Sequence, residues 1–163
     1  MTLDPERLLD ETGWRILREL QENARITFSE LGRRVALTAP AVADRVRRLE
    51  EAGVIRGYRV EVDREALGLP VLAFIRITAT GAECRALAAE ISGFPEVLEC
   101  HRVTGEEAFI AKVAVRSVAH LQDLIDRLMP YGETITSIVL SSPVSYRTID
   151  RESANGEVAA RRR

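Results

Sequence analysis

The sequence predicts an α+β protein in which a three-helix, winged helix-turn-helix head precedes a βαββαβ ferredoxin-like domain. Three observations predict it. Residues 24–58 spell two short helices, a tight turn and an arginine-studded second helix. From Val71 the apolar pattern runs strand, helix, strand, strand, helix, strand. A linker at residues 61–70 separates the two patterns. The expected division is a head at 1–60, the linker, a ferredoxin-like domain at 71–146, and a mobile tail at 147–163.

The first helix is expected from about Asp10 to Asn23, with Trp14, Leu17 and Leu20 on one face and Ile16 alongside, covering the inner sides of the next two. The second opens at Thr27-Phe28-Ser29-Glu30, a capping box. The Thr27 hydroxyl would accept a first-turn amide, and Glu30 would reach back to the Thr27 amide. Leu31 and Val35 lie four apart on its inner face. Only Ala36 and Leu37 separate it from Thr38, the next capping residue, so the two helices must cross steeply. The third helix is expected over Ala39–Ala52, with Pro40 in its first turn and Gly53 ending it.

In that third helix Val42, Val46 and Leu49 form one apolar stripe, and Ala41, Asp44, Arg45 and Arg48 fall on the opposite face. Small residues at its start (Thr38, Ala39, Pro40, Ala41) would let it sink into a major groove. Arg45 and Arg48 would then reach base edges, while Arg33, Arg34 and Arg47 meet phosphates. Between Arg25 and Arg48 six arginines stand against Glu30 and Asp44. A local basic patch in a chain of net charge −2 is the footprint of a reader of double-stranded DNA, not of a histone-like coat. Ala36 sits at a turn position that costs on the order of 1 kcal/mol if its backbone is left-handed. The run Val54–Asp63 alternates from Tyr58 onward and reads as a wing-like strand.

In the second pattern, strands are expected at Val71–Thr80, Glu96–Val103, Ala108–Val115 and from Thr134 through "TITSIVLSSPV". Helices are expected at Glu83–Ile91 and Val118–Met129. The latter is capped by Ser117 and buries Leu121, Leu124, Ile125 and Leu128. This is the split βαβ order, with four antiparallel strands and both helices on one face. The uncovered sheet face carries enough apolar residues to need a partner, which implies a homo-oligomer, at least a dimer.

At 46% hydrophobic and 29% charged residues the 163-residue chain has the composition of a folded globular protein. Two cysteines, Cys84 and Cys100, without metal-ligand spacing, suggest neither a disulfide framework nor a zinc site and fit a reducing cytoplasm. Neither a signal-peptide pattern nor an apolar run approaching the roughly 20 residues of a membrane span is expected. Catalysis finds no footing, and no cofactor or metal is expected. Cys100 and His101 are adjacent on a strand and point to opposite faces, and His120 lacks an acidic partner at helical spacing. The final Arg161-Arg162-Arg163 reads as a solvated end.

The series "ILRELQENARITFSELGRRV" (16–35), "APAVADRVRRLEEAGVIRGYRVEVD" (39–63), "PEVLECHRVTGE" (95–106) and "TITSIVL" (134–140) resembles the Lrp/AsnC family of transcription regulators. The resemblance implies a DNA-binding head and a C-terminal sheet that forms dimers, which associate further into tetramers or octamers. It also implies a crevice between dimers that senses a free amino acid. The family's effector-contacting segments correspond to the loop Val103, Thr104, Gly105, Glu106 and Ala108 and to Thr134, Thr136 and Ser137. There Gly105 would permit close backbone approach, and Glu106 would accept the effector's ammonium. Ala108 stands where the family usually has a second aspartate, which puts effector binding in question. The alternative is therefore a ligand-independent architectural DNA-binding protein. Specific regulation predicts discrimination between sites of roughly 10³ or more, whereas coating predicts binding dominated by phosphates and salt.

Overall fold

Capping side chains set where the helices of the head begin. In the computed structural model, which describes residues 5–155, a single turn, α1 (Pro5–Leu8), precedes α2 (Glu11–Glu22). Asp10 caps α2 by accepting the Gly13 amide at 2.7 Å. Thr27 and Thr38 do the same for α3 (Phe28–Val35) and α4 (Ala39–Glu51). The core of these helices is Ile16, Leu20, Leu31, Val35, Val42, Val46 and Leu49. Trp14 and Leu17 are only partly buried, so the inner face of α2 centres on Gly13, Ile16 and Leu20, one helical step away from the stripe the sequence suggested. A Trp–Leu–Leu series and a Gly–Ile–Leu series have the same period, and only the packing partners choose between them.

No strand forms over residues 54–63: Tyr58, Val60 and Val62 are exposed, and no described strand pairs with them. Alternation alone makes no strand, because the ladder amides need a neighbour's carbonyls.

The C-terminal unit is built from β1 (Val71–Thr78), α5 (Gly81–Glu90), β2 (Val97–Arg102), β3 (Phe109–Val115), α6 (Val118–Leu128) and β4 (Glu133–Ile138). The sheet order is β2-β3-β1-β4, antiparallel throughout, as the split βαβ pattern requires. Ala73, Ile75 and Ile77 of β1 and Ala111, Val113 and Val115 of β3 face Leu87 of α5 and Leu121, Leu124 and Leu128 of α6. Ile125 is partly buried beside them. β4 stops at Ile138, short of the expected run to Val144. Val139 makes the last bond to β1, donating to the Leu72 carbonyl at 2.9 Å, and β1 itself begins at Val71.

The described residues gather into two compact units, one taking residues 5–61 together with 144–155, the other Val62–Pro143. The described part of the segment from residue 147, expected as a mobile tail, is pinned to the head. The Gln21 carboxamide donates to the Ile149 carbonyl and accepts from its amide, both at 2.9 Å. A short helix, α7 (Arg151–Asn155), follows, with Asp150 accepting the Ser153 amide at 2.8 Å. Arg161, Arg162 and Arg163 lie outside the described residues.

Candidate functional site

Two backbone features make the turn between α3 and α4. Ala36 is left-handed, φ 58°, the only described non-glycine residue at positive φ. The Leu37 amide donates to the Gly32 carbonyl at 2.9 Å. Gly32 is buried there, and a Cβ on it would lie 2.5 Å from the Leu37 carbonyl oxygen. The left-handed residue closes the last turn of α3 and sends the chain directly into the Thr38 cap. α4 then buries Val42, Val46 and Leu49 and leaves Arg47 and Arg48 exposed.

The arginines of α3 and α4 are all ion-paired. Arg47 bridges Asp44 at 2.6 Å and Glu51 at 2.5 Å, and Arg48 meets the other oxygen of Asp44 at 2.8 Å. Glu30 does not reach back to the Thr27 amide as a capping box would. Its carboxylate takes Arg33 and, at 3.0 Å, Arg34, since guanidinium bonds outcompete a neutral amide. Arg34 also holds Glu19 of α2 at 2.6 Å.

Arg45 is held across the head. Its guanidinium binds both oxygens of Asp10, at 2.7 and 2.9 Å, tying α4 to the N-cap of α2 and making it a positioning group in this conformation. No local spacing could show a partner 35 residues away. Arg45 holds the Asp10 carboxyl below its ordinary pKa of 3.8, with help from the Gly13 amide. A depressed carboxylate stabilises the fold fully above its unfolded value and stops doing so as pH falls through the folded one. Acid titration should therefore weaken the head below about pH 4. Asp10→Asn should remove that part of the pH dependence in thermal unfolding.

Sequence reasoning passed over Arg56 and Arg59, just beyond α4, which are exposed and have no side-chain partner among the described residues. Their position in the run just after α4 was the available signal.

In the C-terminal unit an open cleft of about 620 Å³ lies between the start of α5 and the loop joining β2 to β3. Val103, Gly105, Glu106 and Ala108 line it; Thr104 does not. The loop is closed by Val103 donating to Ala108 at 3.1 Å and anchored by Ala108 donating to Ile77 at 2.9 Å, with Gly105 at φ 124°. Thr134, Thr136 and Ser137 are not brought into this cleft. Thr134 and Thr136 pair with Ile77 and Ile75 and share their helix side, while Ser137 pairs with Phe74 on the open side. Arg85 and Arg102, which the sequence reading left out, do line the cleft.

The head matches the family model for winged helix-turn-helix DNA-binding domains over residues 9–56, and the C-terminal unit matches that for the Lrp/AsnC ligand-binding domain over residues 72–149. The regulator LrpC of Bacillus subtilis is 34% identical, over 82% of this chain and 92% of its own. This chain belongs to the Lrp/AsnC family. The leucine-responsive regulatory protein of Rhizobium meliloti is 38% identical over 80% of this chain and 85% of its own. Among solved structures, that of LrpC superposes with a TM-score of 0.81 at 33% identity, covering 85% of this chain and 99% of that one. A Neisseria meningitidis transcriptional regulator solved as its L-Met complex gives 0.81 at 32% identity, covering 86% and 96%. This Lrp/AsnC protein is thus a DNA-binding transcriptional regulator and not an enzyme.

Cys100 and His101 pair with Ala111 and Ile110 on opposite faces of the sheet. His120 does find an acidic partner, Glu96 at 3.0 Å, but one from beyond its own helix. Among the described residues no His, Cys, Asp and Glu cluster could hold a metal, and no helix is long and apolar enough to cross a membrane.

Proposed function

We propose that this regulator reads specific double-stranded DNA sites with α4 and changes its assembly or DNA affinity on binding a small effector, a free amino acid. The carrying observation is the cleft walled by the Val103–Ala108 loop, concave and of ligand size, on a unit separate from the DNA-reading head. The L-Met complex of the Neisseria relative supports the class of effector. Light scattering on a sizing column, with and without each of the twenty amino acids, tests it. A change of mass or of operator affinity with one of them is the expected result. Unchanged mass and affinity with all of them would favour the ligand-independent architectural reading.

Dimerisation through the open sheet face belongs to the same proposal. Phe74, Ile110 and Ile135 share that face by register, and Phe74 and Ile135 are 41% and 55% exposed. Apolar area of this kind is what a second copy would cover.

On DNA, Thr38, Ala39, Pro40 and Ala41 give the start of α4 its slim profile, and Arg48 is the base-reading candidate. Asp44 holds it until the groove's acceptors replace that carboxylate. Arg48→Ala should weaken operator binding by about 5–150-fold, corresponding to 1–3 kcal/mol, and relax sequence preference in a mobility-shift titration. Arg33, Arg34 and Arg47 are phosphate candidates. Arg47→Ala should lower the slope of log affinity against log salt by about one, leaving preference intact. Equal effects of both substitutions on every DNA sequence would refute the division of roles.

A further inference from the structure

The charges lining the cleft narrow the effector further, on the basis that the cleft is where the effector binds. Arg102 ends β2 and pairs with Phe109, whose side chain is buried on the helix side, so Arg102 lies on the side where α5 packs. Arg85 comes from α5, one turn beyond Gly81, which also lines the cleft. Neither guanidinium has a side-chain partner among the described residues, and neither has Glu106 on the facing loop. The other acids nearby are engaged. Glu107 faces Arg76 at 3.6 Å, and Glu83 is turned back on the Thr80 amide at 3.2 Å.

The unengaged charges of the cleft are therefore two cations and one anion. Their complement is one cation and two anions on a small frame. The apolar part of the lining is short, Ala79, Cys84, Val103 and Ala108, with no aromatic ring and no leucine, isoleucine or methionine side chain.

We propose that the cleft takes an acidic amino acid of the glutamate or aspartate class. One carboxylate meets Arg85, the other Arg102, and the ammonium meets Glu106. Guanidinium is suited to this task, because its planar fork matches a carboxylate in two parallel bonds.

Isothermal titration of the full chain with L-glutamate, L-aspartate, L-glutamine, L-leucine and glutarate tests the proposal. Glutamate or aspartate should bind at least about 10-fold more tightly than glutamine, which lacks the second charge, and than glutarate, which lacks the ammonium. Arg85→Gln and Arg102→Gln should each abolish the preference over glutamine. Glu106→Gln should abolish that over glutarate, and thermal midpoints should stay unchanged in all three variants. Tightest binding of leucine would overturn the acidic class while leaving amino-acid control intact. A preference for glutamate that survives both arginine replacements would place the site elsewhere and overturn the assignment. Binding of none of the compounds, by protein that still shifts operator DNA, would overturn it as well. If the other amino acids also fail to bind, amino-acid control falls with it.

Discussion

Gly132→Ala is expected to lower the stability of the C-terminal unit by about 2–6 kcal/mol, a large share of the 5–15 kcal/mol typical of a whole domain. Two effects add. Gly132 sits at φ 144° and ψ 177°, a region essentially closed to side chains, and occupying it with alanine costs about 1–3 kcal/mol. A Cβ there would also lie 2.2 Å from the Thr78 carbonyl oxygen and 3.0 Å from its carbon. Both are backbone atoms. Thr78 pairs with Glu133 at the first rung of the β1–β4 ladder, so relieving the clash means peeling β4 away from its start. In urea titration the midpoint should fall with the slope unchanged. An unchanged midpoint would mean that the close approach of residues 78 and 132 does not persist in solution.

Gly32→Ala should have the second largest effect, and it should show in function as well as stability. The added Cβ, 2.5 Å from the Leu37 carbonyl oxygen, forces the turn between α3 and α4 to open. Overpacking of this kind costs about 1–3 kcal/mol. Because that turn sets the angle at which α4 is presented, operator affinity should drop more than the loss of folded protein accounts for. Ala36→Gly four residues on is the informative contrast. It relieves about 1–2 kcal/mol of left-handed strain, from which glycine's greater freedom in the unfolded chain subtracts about 0.4–1. The head should become slightly more stable with DNA binding retained. Equal behaviour of the two variants in thermal unfolding and mobility shift would refute this account of the turn.

The elements of both units were legible because their signals are local. Thr27, Thr38 and Ser117 each announce a helix within three residues, and each caps as expected. Strand order followed from the alternation of strand and helix patterns. What was not legible depends on partners distant in sequence. Arg45 looked free because Asp10 is 35 residues away, and His120 looked unpartnered because Glu96 is 24 away. Residues 54–63 have a strand's alternation but no described neighbour to complete a ladder. At the proposed effector site, Thr134–Ser137 and the Val103–Ala108 loop were grouped by family resemblance. Within one chain they flank β1 from opposite sides, two strand spacings apart, roughly 10 Å. Arg102 was overlooked although it immediately precedes the loop, because charge on a sheet edge looks the same whether or not a cleft adjoins it.

The bond between Gln21 and Ile149 joins positions 128 residues apart, and that separation bears on how the protein is made. The helices through Glu51 can gather their core soon after they leave the ribosome, since everything they bury is already synthesised. Ile149 emerges only after the whole of the four-stranded sheet. A flexible tether of that length closes at an entropic cost that grows with the logarithm of its length, and prior folding of the sheet shortens the tether. Translation thus starts the DNA-reading head first and fastens it last.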